Sequence, residues 1–142
     1  MNLGNLFESS FGAFFAKHRF EAVVGGSLDD PRGRVERFAN GDFHVELWAQ
    51  PSASGSIIAG ARICPPTGPD NLGWLPADRV LAHVTGRPVD SEDLASTASA
   101  MDAHYDLIQA FFRDDEGYSD RWHLLRAYGN RQRVFVAPRW SD

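Results

Sequence analysis

Histidines are the side chains of this chain best suited to acid-base or metal chemistry, and they are scattered along its whole length. None has another histidine four residues further on, and the single cysteine, Cys64, lies near none of them in the sequence; the five are His18, His44, His83, His104 and His123. Zinc sites are recognised by closely spaced histidine and cysteine ligands, and that spacing is missing. The sequence therefore predicts no metal centre, and no motif indicates a cofactor.

One stretch could build a small site from alternating residues. The segment from Asp42 to Ala49 alternates apolar and polar side chains, as a half-buried strand does. His44, Glu46 and Trp48 would then lie on one face and the apolar side chains on the other. The simpler interpretation is an exposed sheet face that carries one amphipathic aromatic side chain. The alternative is a pocket for a small ligand or substrate, but no P-loop, GxGxxG or GxSxG motif accompanies it, so no catalytic residue is predicted.

Acidic side chains are the more abundant candidates for recognition. Residues 1–120 contain nine basic and 18 acidic side chains, which disfavours nucleic-acid binding by this part of the chain. Several acids fall on the polar side of a predicted long helix or in the loop after it, and six form the candidate partner-binding surface: Asp93, Asp102, Asp106, Asp114, Asp115 and Glu116. Such a surface would attract a cationic protein and orient it. The sequence therefore favours a protein partner.

The C-terminal segment 121–142 has the opposite charge. It contains five arginines against Asp142 alone, interleaved with aromatic side chains. Stacking aromatics with phosphate-neutralising arginines would suit a nucleic-acid-associated protein. The favoured interpretation is that these aromatics pack on the sheet and the arginines pair with the acidic helices. Nucleic acid therefore stays the alternative partner.

The elements that would position these residues fall into a sheet half and a helical half. Residues 3–17 have a helical apolar repeat, and short strands are expected at 20–24, 34–39, 42–49 and 56–63. Asn40 and Gly41 predict a tight type I′ hairpin turn. The expected sheet is an antiparallel meander of three to four strands.

Helices should follow a proline-rich connector at residues 64–70. They are expected at 76–86, at about 91–113 and at 119–129, packed on one face of the sheet, and a short strand is an option at 134–136. The middle helix is indicated by an apolar seam with a 4-3-4-3-4 spacing: Leu94, Ala98, Met101, Tyr105, Ile108 and Phe112. The sequence thus predicts one α+β domain over residues 1–142. No run of 18 apolar residues and no signal peptide is present, so a cytoplasmic protein is expected.

Four segments give the chain a resemblance to a group of small proteins. They are HRFEAVV at 18–24, RVERFANGDFHVELWAQ at 34–50, WLPADRVLAHVTG at 74–86 and MDAHYDLIQAFF at 101–112. In this order of helix, meander and helices the chain resembles small bacterial α+β proteins of unknown function, several of which are thought to be immunity proteins of polymorphic or contact-dependent toxin systems. The resemblance covers about residues 3–112. It implies a non-enzymatic domain that neutralises a cognate toxin, and it assigns no catalytic residues.

Overall fold

The chain runs through one helix, a set of strands and then a group of helices. A computed structural model describes residues 3–30, 33–68, 74–89 and 93–113, with the side chains of residues 29 and 30 excepted. The elements there are α1 (Leu3–Lys17), β1 (Glu21–Ala22), β2 (Leu28–Asp30), β3 (Gly33–Ala39), β4 (His44–Pro51), β5 (Ile57–Cys64), β6 (Leu75–Pro76), α2 (Ala77–Thr85), α3 (Leu94–Ala103) and α4 (Tyr105–Arg113). The predicted α+β class is confirmed. The predicted helix at 119–129 and the optional strand at 134–136 lie outside the described residues.

The strands form one antiparallel sheet in the order β1-β3-β4-β5-β6, with β2 beside β3 as well. Its centre is the predicted meander of β3, β4 and β5. In that meander His44 is opposite Ala39 on one side and Cys64 on the other. The three remaining strands are only two or three residues long, and β2 and β6 were not predicted. Short pairings of this kind depend on tertiary contacts that a local sequence pattern does not contain.

The turn between β3 and β4 differs from the prediction. A type I′ turn needs positive φ at both central residues, yet among the described non-glycine residues only Arg19 has positive φ. Residues 40–43 form a four-residue loop in which Gly41 has a φ of 92°. The Asn40 side chain accepts a hydrogen bond from the Asp42 backbone N–H at 2.9 Å. The predicted two-residue turn is therefore wrong, and side-chain hydrogen bonding by Asn40 fixes a longer loop instead.

A single apolar core lies between the helices and one face of the sheet. The inward side chains of β4, namely Val45, Leu47 and Ala49, are fully buried there. Each helix supplies buried side chains to the same core, among them Phe7, Phe11, Phe14, Phe15, Val80, Leu81, Met101, Ile108 and Phe112. Burial of a large apolar side chain contributes about 1.5–3 kcal/mol. The core thus places the helices on one side and leaves the outward residues of β4 on the other.

The predicted long helix is divided in two at His104. The apolar seam is buried as expected, with Tyr105 partly exposed. His104, however, has a φ of −117° and a ψ of 25° and ends α3, and α4 begins at the next residue. The seam therefore predicts the buried side correctly but not the interruption. Within the described residues, no helix has both the length and the apolar content to cross a membrane.

Candidate functional site

His44, Glu46 and Trp48 lie together on the face of β4 that points away from the core. This grouping is the candidate pocket of the sequence analysis. Glu46 is 1% exposed and Trp48 is 9% exposed. The simpler interpretation, an exposed and solvated sheet face, is therefore wrong at these two residues. Neighbouring strands place large side chains beside them.

Glu46 is held between two arginines. Arg37 on β3 and Arg62 on β5 are directly opposite it in the two strand pairings. Arg37 Nε donates to Glu46 Oε2 at 2.7 Å, and Arg62 Nη2 donates to Oε1. Burial lowers the pKa of Arg62, and the neighbouring Glu46 opposes that effect. Both carboxylate oxygens are engaged, so this arrangement braces three strands and does not leave Glu46 free to act as a base.

The aromatic side chains of this face pack closely around the ion pairs. A side chain at Gly60 would meet the Trp48 ring at 2.6 Å, so glycine makes room for the indole. The Arg37 guanidinium lies 5.6 Å from the centre of the Trp74 ring, within cation–π range. His44 Nε2 lies 3.2 Å from the Pro66 carbonyl oxygen, where it can donate a hydrogen bond. We call Arg37, Glu46, Arg62, Trp48 and Trp74 the β4 brace.

A second polar cluster joins the end of α1 to α3. Asp102 Oδ1 lies 2.8 Å from Lys17 Nζ and 2.9 Å from His18 Nε2. These hydrogen bonds, first that of Lys17 and then that of His18, lower the pKa of Asp102. No local sequence pattern predicts this cluster, because His18 and Asp102 are 84 residues apart.

Tyr105 connects this cluster to the β3–β4 loop. Its ring stacks in parallel on His18 at 3.9 Å, and its hydroxyl donates to Asp42 Oδ2 at 2.6 Å. Asn40 Nδ2 donates to the same hydroxyl at 2.7 Å, and Gln109 Nε2 donates to Asp42 Oδ1 at 3.0 Å. Burial, followed by the hydrogen bond to Asp42, raises the pKa of Tyr105. The phenol therefore remains a neutral donor, and the network fixes the start of α4.

The predicted acidic residues occupy different structural positions on α3 and α4. Asp93 caps α3 by accepting the Ser96 backbone N–H at 2.7 Å, which is the main cause of its lowered pKa. Asp102 belongs to the α1–α3 cluster, and Asp106 is exposed in the first turn of α4. Asp114, Asp115 and Glu116 lie outside the described residues, as does the arginine-rich segment 121–142.

The exposed side chains of α3 and α4 are mixed in character. Leu107 is 43% exposed, which is unusual for a large apolar side chain in this molecule. The remaining exposed side chains there are small or charged. We call the set the α3–α4 surface: Asp93, Ala95, Ser99, Ala103, Asp106, Leu107, Ala110 and Arg113.

No group of three or more histidine, cysteine, aspartate or glutamate side chains among the described residues could hold a metal ion. The one cysteine, Cys64, is buried. Comparison with protein-family models, with characterised proteins and with solved structures found no match. The site must therefore be interpreted from its own geometry.

Proposed function

We propose that this chain is a non-enzymatic protein-binding domain whose α3–α4 surface docks on a cationic partner, and that the partner is a bacterial toxin that the chain neutralises. The observation that carries the proposal is Leu107, a large apolar side chain exposed between small residues and carboxylates. Binding surfaces commonly have an apolar centre with a polar rim. Leu107 would supply the centre, and Asp93 and Asp106 the rim.

The charges of this surface favour the same kind of partner. Hydrogen bonding lowers the pKa of both Asp93 and Asp102, so both stay ionised well below neutral pH. Asp102 is already paired with Lys17, and we therefore assign most of the attraction to Asp93 and Asp106. Asp114, Asp115 and Glu116 add three acidic residues directly after α4 in the sequence. Arg113 offsets one of these charges, but a net negative rim still speeds association with a positively charged protein and fixes its orientation.

A co-expression experiment tests the proposal. The tagged chain is expressed with the product of the neighbouring gene, and complex formation and rescue of growth are measured. Leu107→Arg should weaken binding about tenfold or more, because it places a charge at the apolar centre of the interface. Asp106→Arg should mainly slow association and weaken its dependence on salt.

The matched control is Glu21→Arg, which reverses an exposed charge on β1, outside the α3–α4 surface. It should leave binding and rescue unchanged. A neighbouring product that neither binds nor becomes less toxic would refute the immunity function. Equal binding by all three variants would instead show that the partner docks elsewhere on the chain.

A further inference from the structure

The outer edge of β5 is open over most of its length. On its inner side β5 pairs with β4 along all eight residues. On its outer side β6 pairs only with Arg62 and Ile63, and Pro76 of β6 has no N–H to extend the ladder. In the part of the chain that the structure describes, residues 57–61 have no outer strand partner. Their outward backbone groups are available for hydrogen bonding to another strand.

The opposite edge of the sheet, formed by β3, is covered by further strands, unlike the β5 edge. There, β1 and β2 cover the two ends of β3. Between these two pairings, the Val23 backbone N–H donates to the Arg37 carbonyl oxygen at 2.9 Å. Proteins usually blunt a free edge with charged side chains, proline or short covering strands. Residues 57–61 of β5, like the loop residues 52–56 before them, contain no charged side chain and no proline. Within the described residues, the segment 57–61 of β5 is therefore an ordered strand edge without the usual protection against pairing.

We propose that this edge pairs with the β5 edge of a second copy of the chain, antiparallel and centred on Ala59, so that two sheets become one. About a two-fold axis at Ala59, Ile57 of each copy lies opposite Ala61 of the other, and Ile58 lies opposite Gly60. Each large side chain therefore meets a small one. Opposite residues of an antiparallel pair share a face, with Cβ atoms about 5 Å apart.

The two faces of β5 suit this pairing. Ile57 and Ala59 pack against the main core, whereas Ile58 packs against Val35 and Trp48 on the other side. In the paired sheet, Ile58 of one copy would lie beside Gly60 of the other, where the Trp48 indole already covers the glycine. The pairing thus extends both apolar layers across the two-fold axis. No like charges are brought opposite one another, because Arg62 lies beyond the open segment.

The wild-type protein provides the first test. Sedimentation should show a monomer–dimer equilibrium, and hydrogen exchange at residues 57–61 should slow as protein concentration rises. A protein that stays monomeric over the whole range, or exchange at these amides that does not change with concentration, would overturn the proposal. Because this test uses the wild-type protein, its outcome does not depend on whether the fold tolerates a substitution.

A charge placed on the two-fold axis provides the second test, because residue 59 would lie opposite its own copy. Ala59→Lys and Ala59→Glu should each raise the dimer dissociation constant about tenfold or more, since like charges directly opposite repel. An equimolar mixture of the two should restore the dimer as a heterodimer. Ala53→Lys, in the exposed loop of the same hairpin, is the control and should dimerise as the wild type does.

Circular dichroism of each Ala59 variant checks that it is folded. Dimers that survive both charges, or folded variants that fail to recombine when mixed, would show that another surface or another register is used. Binding of an unrelated peptide strand in place of a second copy would likewise contradict the proposed partner.

Discussion

At the scale of single residues, Glu46 shows most clearly how a buried charge is accommodated. The carboxylate is almost fully buried, and it is tolerated because two guanidiniums donate to its two oxygens. Taking a carboxylate out of water is costly unless it is paired and hydrogen-bonded in this way. Its role in the β4 brace therefore depends on the register of three strands.

We predict that Glu46→Gln destabilises the fold by about 3 kcal/mol, because it removes the charge that compensates both arginines. Arg37 is 41% exposed and can recover some hydration, so the expected loss of stability lies at the low end for a broken buried pair. Urea unfolding measures the change. Glu36→Gln is the control, because the Glu36 carboxylate on the neighbouring strand is more exposed than that of Glu46 and its contact with Arg34 is longer; it should cost less than about 1 kcal/mol. Equal losses in the two variants would argue against the brace.

The sequence could place His44, Glu46 and Trp48 on one face, but it could not supply their partners. Strand alternation depends only on local spacing, whereas the pairing of Glu46 with Arg62 depends on how the intervening loop sets the register. In the observed register, Arg37, Glu46 and Arg62 lie opposite one another and therefore share one face of the sheet. Once the register is known, the pairing follows from it.

At the scale of elements, Asp102 acts as a clamp between α1 and α3. The last residue of α1 and the histidine after it both reach this carboxylate, and the His18 ring then stacks on Tyr105 at the start of α4. The seam at 94–112 was enough to predict which side of the helix is buried. It could not predict the interruption at His104, because the contacts of Tyr105 with Asp42 and Asn40 come from a distant loop.

We predict that Asp102→Asn lowers stability near neutral pH and that the difference from wild type disappears in acid. The folded-state pKa of Asp102 is lowered, so the stability that it contributes is present above the unfolded pKa of about 3.9. It is lost as pH falls through the lower folded-state pKa. Urea unfolding at neutral pH, and in acid at pH values stepped down from about 4, follows this loss.

Asp106→Asn is the control for this experiment, since Asp106 is exposed and makes no ion pair with the described residues. It should change stability little over the same pH range. A difference between wild type and Asp102→Asn that persists undiminished in acid would mean that the charge of Asp102 is not what stabilises the clamp.

At the scale of the whole molecule, the helices and one sheet face share a single core, and the β4 brace covers the other face. Phe11 is fully buried near the middle of α1, with Phe15 and Phe14 rings centred 5.3 and 5.6 Å away. Trp48, in contrast, packs with Val35 on the far side of the sheet. The sequence predicts one domain. Spectroscopic probes on the two faces of the sheet can test whether both faces unfold together.

We predict that Phe11→Ala destabilises both sides of the sheet together, by about 3–5 kcal/mol, because it opens a cavity in the shared core. Helix content followed by circular dichroism, and the fluorescence of Trp48 with the other three tryptophans replaced by phenylalanine, should give coincident urea midpoints that fall by the same amount. Val24→Ala, at a fully exposed apolar residue, is the control and should stay within about 0.5 kcal/mol of wild type. If the circular-dichroism midpoint fell while the fluorescence midpoint did not, the helices and the sheet would unfold as separate units. Coincident midpoints would instead mean that the helices carrying the α3–α4 surface and the strands of the β4 brace unfold as one unit.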